Sequence, residues 1–207
     1  MGTGIIICGL NGTGKSTLGK ALAEKLHFYF IDNEDLYFPK TAPDYIYALS
    51  RTREEVEKLL SNEVNAHKNF VFASVKGDYG EAVYSFFQYA VLIDVPKEIR
   101  IQRVKNRSFQ KFGKRMLSGG DLYEQKEHFF DFVKSNNGNP QPADPSSAFR
   151  DCRVHQDQHR QSRTNFISID PNGHFELLLC SLQFFPPASP TTLILSAGQW
   201  FPPNNAF

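Results

Sequence analysis

The sequence is poor in cysteine, carries no excess charge of either sign and contains no long apolar run, and each shortage removes a class of protein. Its three cysteines, Cys8, Cys152 and Cys180, are widely separated, odd in number and in neither disulfide nor zinc spacing, which predicts a reducing, cytoplasmic setting. Cys8 is expected as a small buried hydrophobe. A formal net charge of +1 provides no basic field of the kind that duplex nucleic acid or an anionic lipid surface requires, so neither partner is expected. No run approaches the about 20 apolar residues of a membrane span. The start, MGTGIIICGL, has neither the basic region of a signal peptide nor a myristoylation pattern, which Ile6 spoils.

What is present is an ordinary globular composition, 41% apolar and 22% charged over 207 residues, enough for one domain with a full core. From Met1 to about Lys134, short β-rich runs alternate with amphipathic stretches, the pattern of a parallel sheet with crossover helices. Strands are predicted at 4–8, 28–31, 70–75 and 90–94. Helices are predicted from Ser16 to Leu26, with Leu18, Ala21, Leu22 and Leu26 on one face, and from Thr52, where Glu55 completes a capping box and Val56, Leu59, Leu60 and Val64 form the stripe. Residues 80–88 can be helical, Pro96 suits the first turn of a helix reaching Arg107, and a last helix runs from Asp121 to Lys134. The phenylalanine pairs Phe86-Phe87 and Phe129-Phe130 read as core.

After Lys134 lysine is absent: all thirteen lie at or before that position, whereas nine of twelve prolines and a single glutamate, Glu176, follow it. The chain therefore divides into a domain over residues 1–134 and an atypical Pro/Ser/Asn-rich tail over 135–207. Two readings of the tail stand: a disordered segment, or translation out of frame, since codons allowed for residues 155–169, shifted by one base, permit an amphipathic, lysine-bearing helix.

Gly9-Leu10-Asn11-Gly12-Thr13-Gly14-Lys15-Ser16 fits G-x-x-x-x-G-K-[ST], directly after a β run and before a helical one. The glycines let successive N–H groups converge on an anion, and the following helix adds its positive end. Asn11, Gly12, Thr13, Gly14, Lys15, Ser16 and Thr17 are the candidate ATP contacts. Lys15 is expected on the β- and γ-phosphates, Thr17 on the α-phosphate and Ser16 on Mg²⁺. No N-K-x-D motif reads guanine.

Arg100, Arg103 and Arg107 share one helix face, and Lys111, Lys114 and Arg115 follow; by themselves they fit a solvated face as well as an anion site. Together with Gly9 to Thr17, the run Leu92-Ile93-Asp94-Val95-Pro96 and then Arg103-Val104-Lys105-Asn106-Arg107 resembles the nucleoside monophosphate kinase and shikimate kinase group of P-loop proteins, over roughly residues 4–134. That resemblance implies a kinase with a small-molecule acceptor. Arg103 would pack on adenine, Arg107 would reach the phosphates, residues 108–118 would form a short lid, and Arg115 would close on the transferring group. It also implies a three-layer α/β/α fold with a parallel sheet in the order 2-3-1-4, extended by a fifth strand if 165–170 supplies one. One departure is the third strand, ending Ala73-Ser74-Val75 without the carboxylate many relatives place near Mg²⁺; Asp32 or Asp78 would act through water.

For the acceptor, the second strand ends Ile31-Asp32-Asn33-Glu34-Asp35, near the sheet edge where open α/β folds bind ligands. Asp32 either orients the acceptor hydroxyl or caps a helix. By resemblance Glu34 completes an acidic pair with Asp32. Arg51 and Arg53 either clamp an acceptor anion or pair with Glu54 and Glu57 in an exposed first turn. Tyr45, Tyr47 and Tyr79 either stack on an acceptor ring or pack. A monomer is expected.

Overall fold

A computed structural model describes residues 2–75, 79, 83, 85–136, 165–168 and 191–196. Six strands form one sheet: β1 Gly4–Cys8, β2 Tyr29–Asp32, β3 Phe70–Ser74, β4 Phe87–Asp94, β5 Asn165–Ser168 and β6 Thr191–Ser196. Their order is β2-β3-β1-β4-β6-β5, with every pairing parallel. The expected 2-3-1-4 order is the core of this sheet.

Strand β1 reads as continuous apolar sequence because both its faces are covered. Ile5 and Ile7 pack with Leu18, Leu22 and Ala23 of helix α1 (Lys15–Leu26) on one side. Ile6 and Cys8 pack with Val56, Leu60 and Val64 of α3 (Arg53–Ala66) on the other. This period-2 division of one strand between two helices creates the three layers. The Thr52 capping box is present: Thr52 Oγ1 accepts from the Glu55 N–H at 3.3 Å and Glu55 Oε2 from the Thr52 N–H at 2.8 Å. A third cluster, Val104, Met116, Phe130 and Val133, joins α4 (Lys97–Phe112) to α5 (Tyr123–Ser135).

Several boundaries differ from the sequence reading. Strand β4 begins at Phe87 rather than Ala90, because Phe87 buries its ring against Phe70 and Phe72, so the predicted helix cannot extend to residue 88. The segment expected as a loop over 108–118 is instead the last turn of α4 followed by a 3₁₀ turn, Gly113–Met116. Helix α5 starts two residues later than Asp121, whose carboxylate is held by Arg115. A short helix α2, Asn33–Tyr37, follows β2 with Asp32 as its N-cap, the capping reading of that residue. Strand β5 matches the segment proposed as a fifth strand but is the outermost; β6, which sequence reading missed, lies between it and β4. Cys8 is buried as expected, while Cys152, Cys180 and Asp78 lie outside the described residues. Among the described residues no helix is long and apolar enough to cross a membrane.

Candidate active site

The loop between β1 and α1 curls around its own carbonyl. Leu10 O accepts from Thr13 N–H (3.3 Å), Thr13 Oγ1 (2.9 Å) and Lys15 Nζ (3.0 Å). Gly12 and Gly14 take φ of 85° and 97°, a region L side chains avoid. Gly12 is also pinned by space, since a Cβ there would come 2.4 Å from Arg100 O. The first turn of α1 contains no acidic residue and no side-chain cap, so its N–H groups are not spent on a carboxylate.

Lys15 is pushed down to about 8. Burial is the main cause, the charges of Arg107 and Arg100 add to it, and Cys8 and Asp32 oppose it. Among the described residues it forms no ion pair. A desolvated ammonium without a counter-ion, at a helix start lined by turned glycines, fits the phosphate chain of a nucleotide. Ser16 and Thr17 follow in the same turn of α1, where Ser16 could offer a hydroxyl to Mg²⁺. No group of three or more His, Cys, Asp or Glu suited to a metal occurs among the described residues.

Helix α4 braces this loop from behind. Arg100, 2% exposed, donates from Nε to Val95 O (3.1 Å) and from Nη1 to Asn11 O (3.4 Å). Arg103 Nη1 reaches Gly12 O at 3.5 Å. One turn on, Arg107 is exposed at the edge of a cleft that Asn11 also lines; among the described residues it makes no hydrogen bond or ion pair. Arg115 instead binds Asp121 (Nη2 to Oδ2, 2.5 Å) and donates to Asp44 O at 2.8 Å, tying the 3₁₀ turn to the loop over 38–52.

The acidic and basic residues nominated for the acceptor are each engaged with neighbouring groups, and Glu34 among them lines a cleft. Asp32 caps α2, accepting from the Glu34 N–H at 2.9 Å. Glu34 accepts from Tyr47 OH at 2.8 Å and stands 3.7 Å from Lys40, with which Asp35 pairs. Arg51 donates to Leu36 O (2.7 Å) and Asp35 O (3.3 Å), and Arg53 pairs with Glu57 one turn along α3. Tyr79 is buried, donating to Asn33 Oδ1 at 2.7 Å. Its single proton is thereby used, so Ser74 Oγ, also 2.7 Å away, donates to the Tyr79 oxygen.

What does converge is a cleft of about 250 Å³ lined by Asn11, Glu34, Phe38, Tyr45, Tyr47, Arg107, Ser108, Lys111, Phe112, Lys126 and Phe129. Lys111 Nζ lies 2.7 Å from Tyr47 OH, whose proton goes to Glu34. Burial, with Glu34 beside it, raises the Tyr47 phenol. Lys126 and Phe129 were not foreseen as site residues. A signal existed: Leu122, Lys126, Phe130 and Val133 occur at i, i+4, i+8 and i+11, a helical core stripe with a lysine inside it, and all four are at most 4% exposed.

A family model described as an AAA domain matches residues 5–118. The chain belongs to that family. Among curated proteins it is 30% identical over 131 residues to the uncharacterized protein YqaC of Bacillus subtilis (strain 168), covering 62% of this chain and 70% of that one. It is 28% identical over 134 residues to a shikimate kinase of Microcystis aeruginosa (strain NIES-843 / IAM M-2473), covering 61% and 68%. Among solved structures a gluconokinase from Sinorhizobium meliloti 1021 aligns with a TM-score of 0.40 at 18% identity, over 51% of this chain and 65% of that one, just under two thirds of its length. The matching family model and the shikimate kinase relative make the chain a kinase-like P-loop protein, as the resemblance read from its motifs implied.

Proposed function

We propose that this chain is an ATP-dependent phosphotransferase, moving the γ-phosphoryl group to a small molecule held in the cleft beside the phosphate-binding loop. The observation that carries the proposal is the pair of adjoining cationic sites. Lys15, half-buried and without an ion pair among the described residues, stands at the start of α1, and Arg107 and Lys111 stand on the cleft wall shared with Asn11. Bound MgATP supplies the transferable group, and the metal neutralises charge on its phosphates. The residues from Asn11 to Thr17 would hold it, with Ser16 on the metal side and Arg103 bracing the loop. Arg107 would offset developing charge and Arg115 would keep the lid turn against the loop over 38–52. Asp32 and Glu34 would orient the acceptor hydroxyl from the β2 edge. Asp35, Arg51 and Arg53 would act on it only indirectly, through the positions of α2 and α3. On this reading the protein works in the cytoplasm as a monomer whose partners are small molecules, not nucleic acid or membrane.

A second reading, a nucleotide-binding regulatory module that hydrolyses ATP slowly, is favoured by one feature. The end of β3 presents Ser74, engaged with Tyr79, where a carboxylate would support the metal. ADP release by the full chain, measured with and without a panel of nucleosides, nucleotides and hydroxy acids, separates the two. Acceptor-dependent ADP release that is lost in Lys15→Ala is the expected result; release indifferent to every acceptor would remove the transferase reading.

A further inference from the structure

We propose that Lys126, assisted by Lys111, receives an oxyanion carried by the acceptor, so that the acceptor is a compact molecule bearing a phosphate or carboxylate group. This rests on the phosphotransfer reading for the word acceptor, and it moves the anion clamp from the expected Arg51 and Arg53, which do not line the cleft, to Lys111 of α4 and Lys126 of α5, which do.

Lys126 is 3% exposed, in a place the packing of α5 gives to apolar side chains. Its ammonium donates to Tyr45 OH at 3.2 Å and sits 4.0 Å from the centre of the Phe112 ring and 5.0 Å from that of Tyr45. These partners are neutral, and among the described residues neither Lys126 nor Lys111 forms an ion pair. The charged groups facing it can be named among the described residues. From α4 come Lys111 and Arg107, both positive; from α2 comes Glu34, shared with Tyr47 and Lys40; Tyr45 and Tyr47 from the loop over 38–52 are neutral. Among the described residues, three cations thus line the cleft against one carboxylate that already has partners.

Burying a cation among like charges is unfavourable unless an anion answers it. Burial first, and then Lys111 and Arg107, push Lys126 down to about 8. An oxyanion among these groups reverses both effects. It also competes with the tyrosine hydroxyls for Lys111 and Lys126, and so draws the loop over 38–52 into binding. The size of the cleft, about 250 Å³, lies below the usual range of about 300–1,000 Å³ for ligand pockets, which favours a small acceptor.

The test titrates the full chain labelled with ¹³Cε-lysine, with the Lys126 signal assigned by its loss in Lys126→Met. Sodium phosphate, sodium acetate and sodium chloride are compared at equal ionic strength. The expected result is that the Lys126 midpoint rises with phosphate or acetate but not with chloride, and that the rise persists in Lys15→Ala, whose phosphate-binding loop lacks its lysine. Which oxyanion acts at lower concentration identifies the acceptor's group. A midpoint indifferent to both oxyanions overturns the proposal, and so does a rise that disappears in Lys15→Ala. Calorimetry of MgATP binding to the wild-type chain is run alongside; failure there removes the phosphotransfer reading, while the Lys126 titration still decides whether the cleft takes an anion.

Discussion

Replacing Lys126 by methionine is expected to stabilise the protein at neutral pH and to lose that advantage in alkali. Methionine follows the lysine stem closely, fills the box formed by Tyr45, Phe112 and Phe129, and removes the buried charge. Lowering Lys126 from 10.5 to about 8 corresponds to about 3 kcal/mol of penalty on the charged form. Ring faces around the ammonium return about 1–2 kcal/mol, so the net gain expected for Lys126→Met at pH 7 is about 1–2 kcal/mol. The sign follows from proton binding. Because the folded-state value lies below the unfolded one, the unfolded chain binds more protons between about 8 and 10.5. Wild-type stability therefore recovers as pH rises through that window. Lys126→Met has no such recovery from this site, so the difference between the two proteins shrinks toward its packing component by pH 10. Burial raises Tyr45, and burial with Glu34 beside it raises Tyr47, so both phenols are displaced upward, away from that window. Urea unfolding of both full chains at pH 7 and pH 10 measures the effect. A variant less stable at pH 7, by an amount that does not change with pH, would refute the reasoning.

Two further perturbations probe the donor side. Gly12→Ala combines a φ of 85° with a Cβ 2.4 Å from Arg100 O. It is expected to cost about 1–3 kcal/mol in urea unfolding and to abolish MgATP binding in calorimetry; wild-type behaviour in both would mean the loop does not pack against α4 as described. Arg107→Gln removes a charge that lowers both Lys15 and Lys126, so the titration midpoints of both lysines are expected to rise, followed by the same ¹³Cε signals. A response at one lysine alone would place Arg107 away from the position between them.

The parts of the site that could be read from sequence are those whose chemistry is contiguous. The phosphate-binding loop needs eight consecutive residues between a strand and a helix, and nothing distant must be known to place them. The capping box at Thr52 and Glu55 is equally local, and it appears with both of its hydrogen bonds. The first four strands were legible because short β-rich runs alternate with helical stripes. Strand β6 was missed because it lies in a segment rich in proline and polar residues, where composition outweighed the short run Thr191-Thr192-Leu193-Ile194-Leu195. The end of β3 shows the limit from the other direction: absence of a carboxylate was visible, but the Ser74–Tyr79–Asn33 chain that fills its place depends on a residue from another strand end.

The acceptor side was less legible because a charge acquires a role only from the partner that tertiary structure gives it. Arg51 and Arg53 have the right type and the right place in the chain for an anion clamp. Arg51 is nevertheless taken up by carbonyls at the end of α2, and Arg53 by Glu57. Lys126 carries the same charge, on a helix read from sequence only as the last of the domain, and among the described residues it is left without a counter-ion inside the cleft. The distinction lies in the alternatives open to each cation. Arginine on an exposed helix start finds carbonyls, carboxylates or water at little cost, whereas lysine on a buried stripe can remain charged only where rings, hydroxyls or an anion replace its water. A lysine interrupting an apolar i, i+4, i+8 pattern is therefore a stronger sequence signal for an anion site than an arginine pair at a helix start. The first requires a compensating partner; the second already has several.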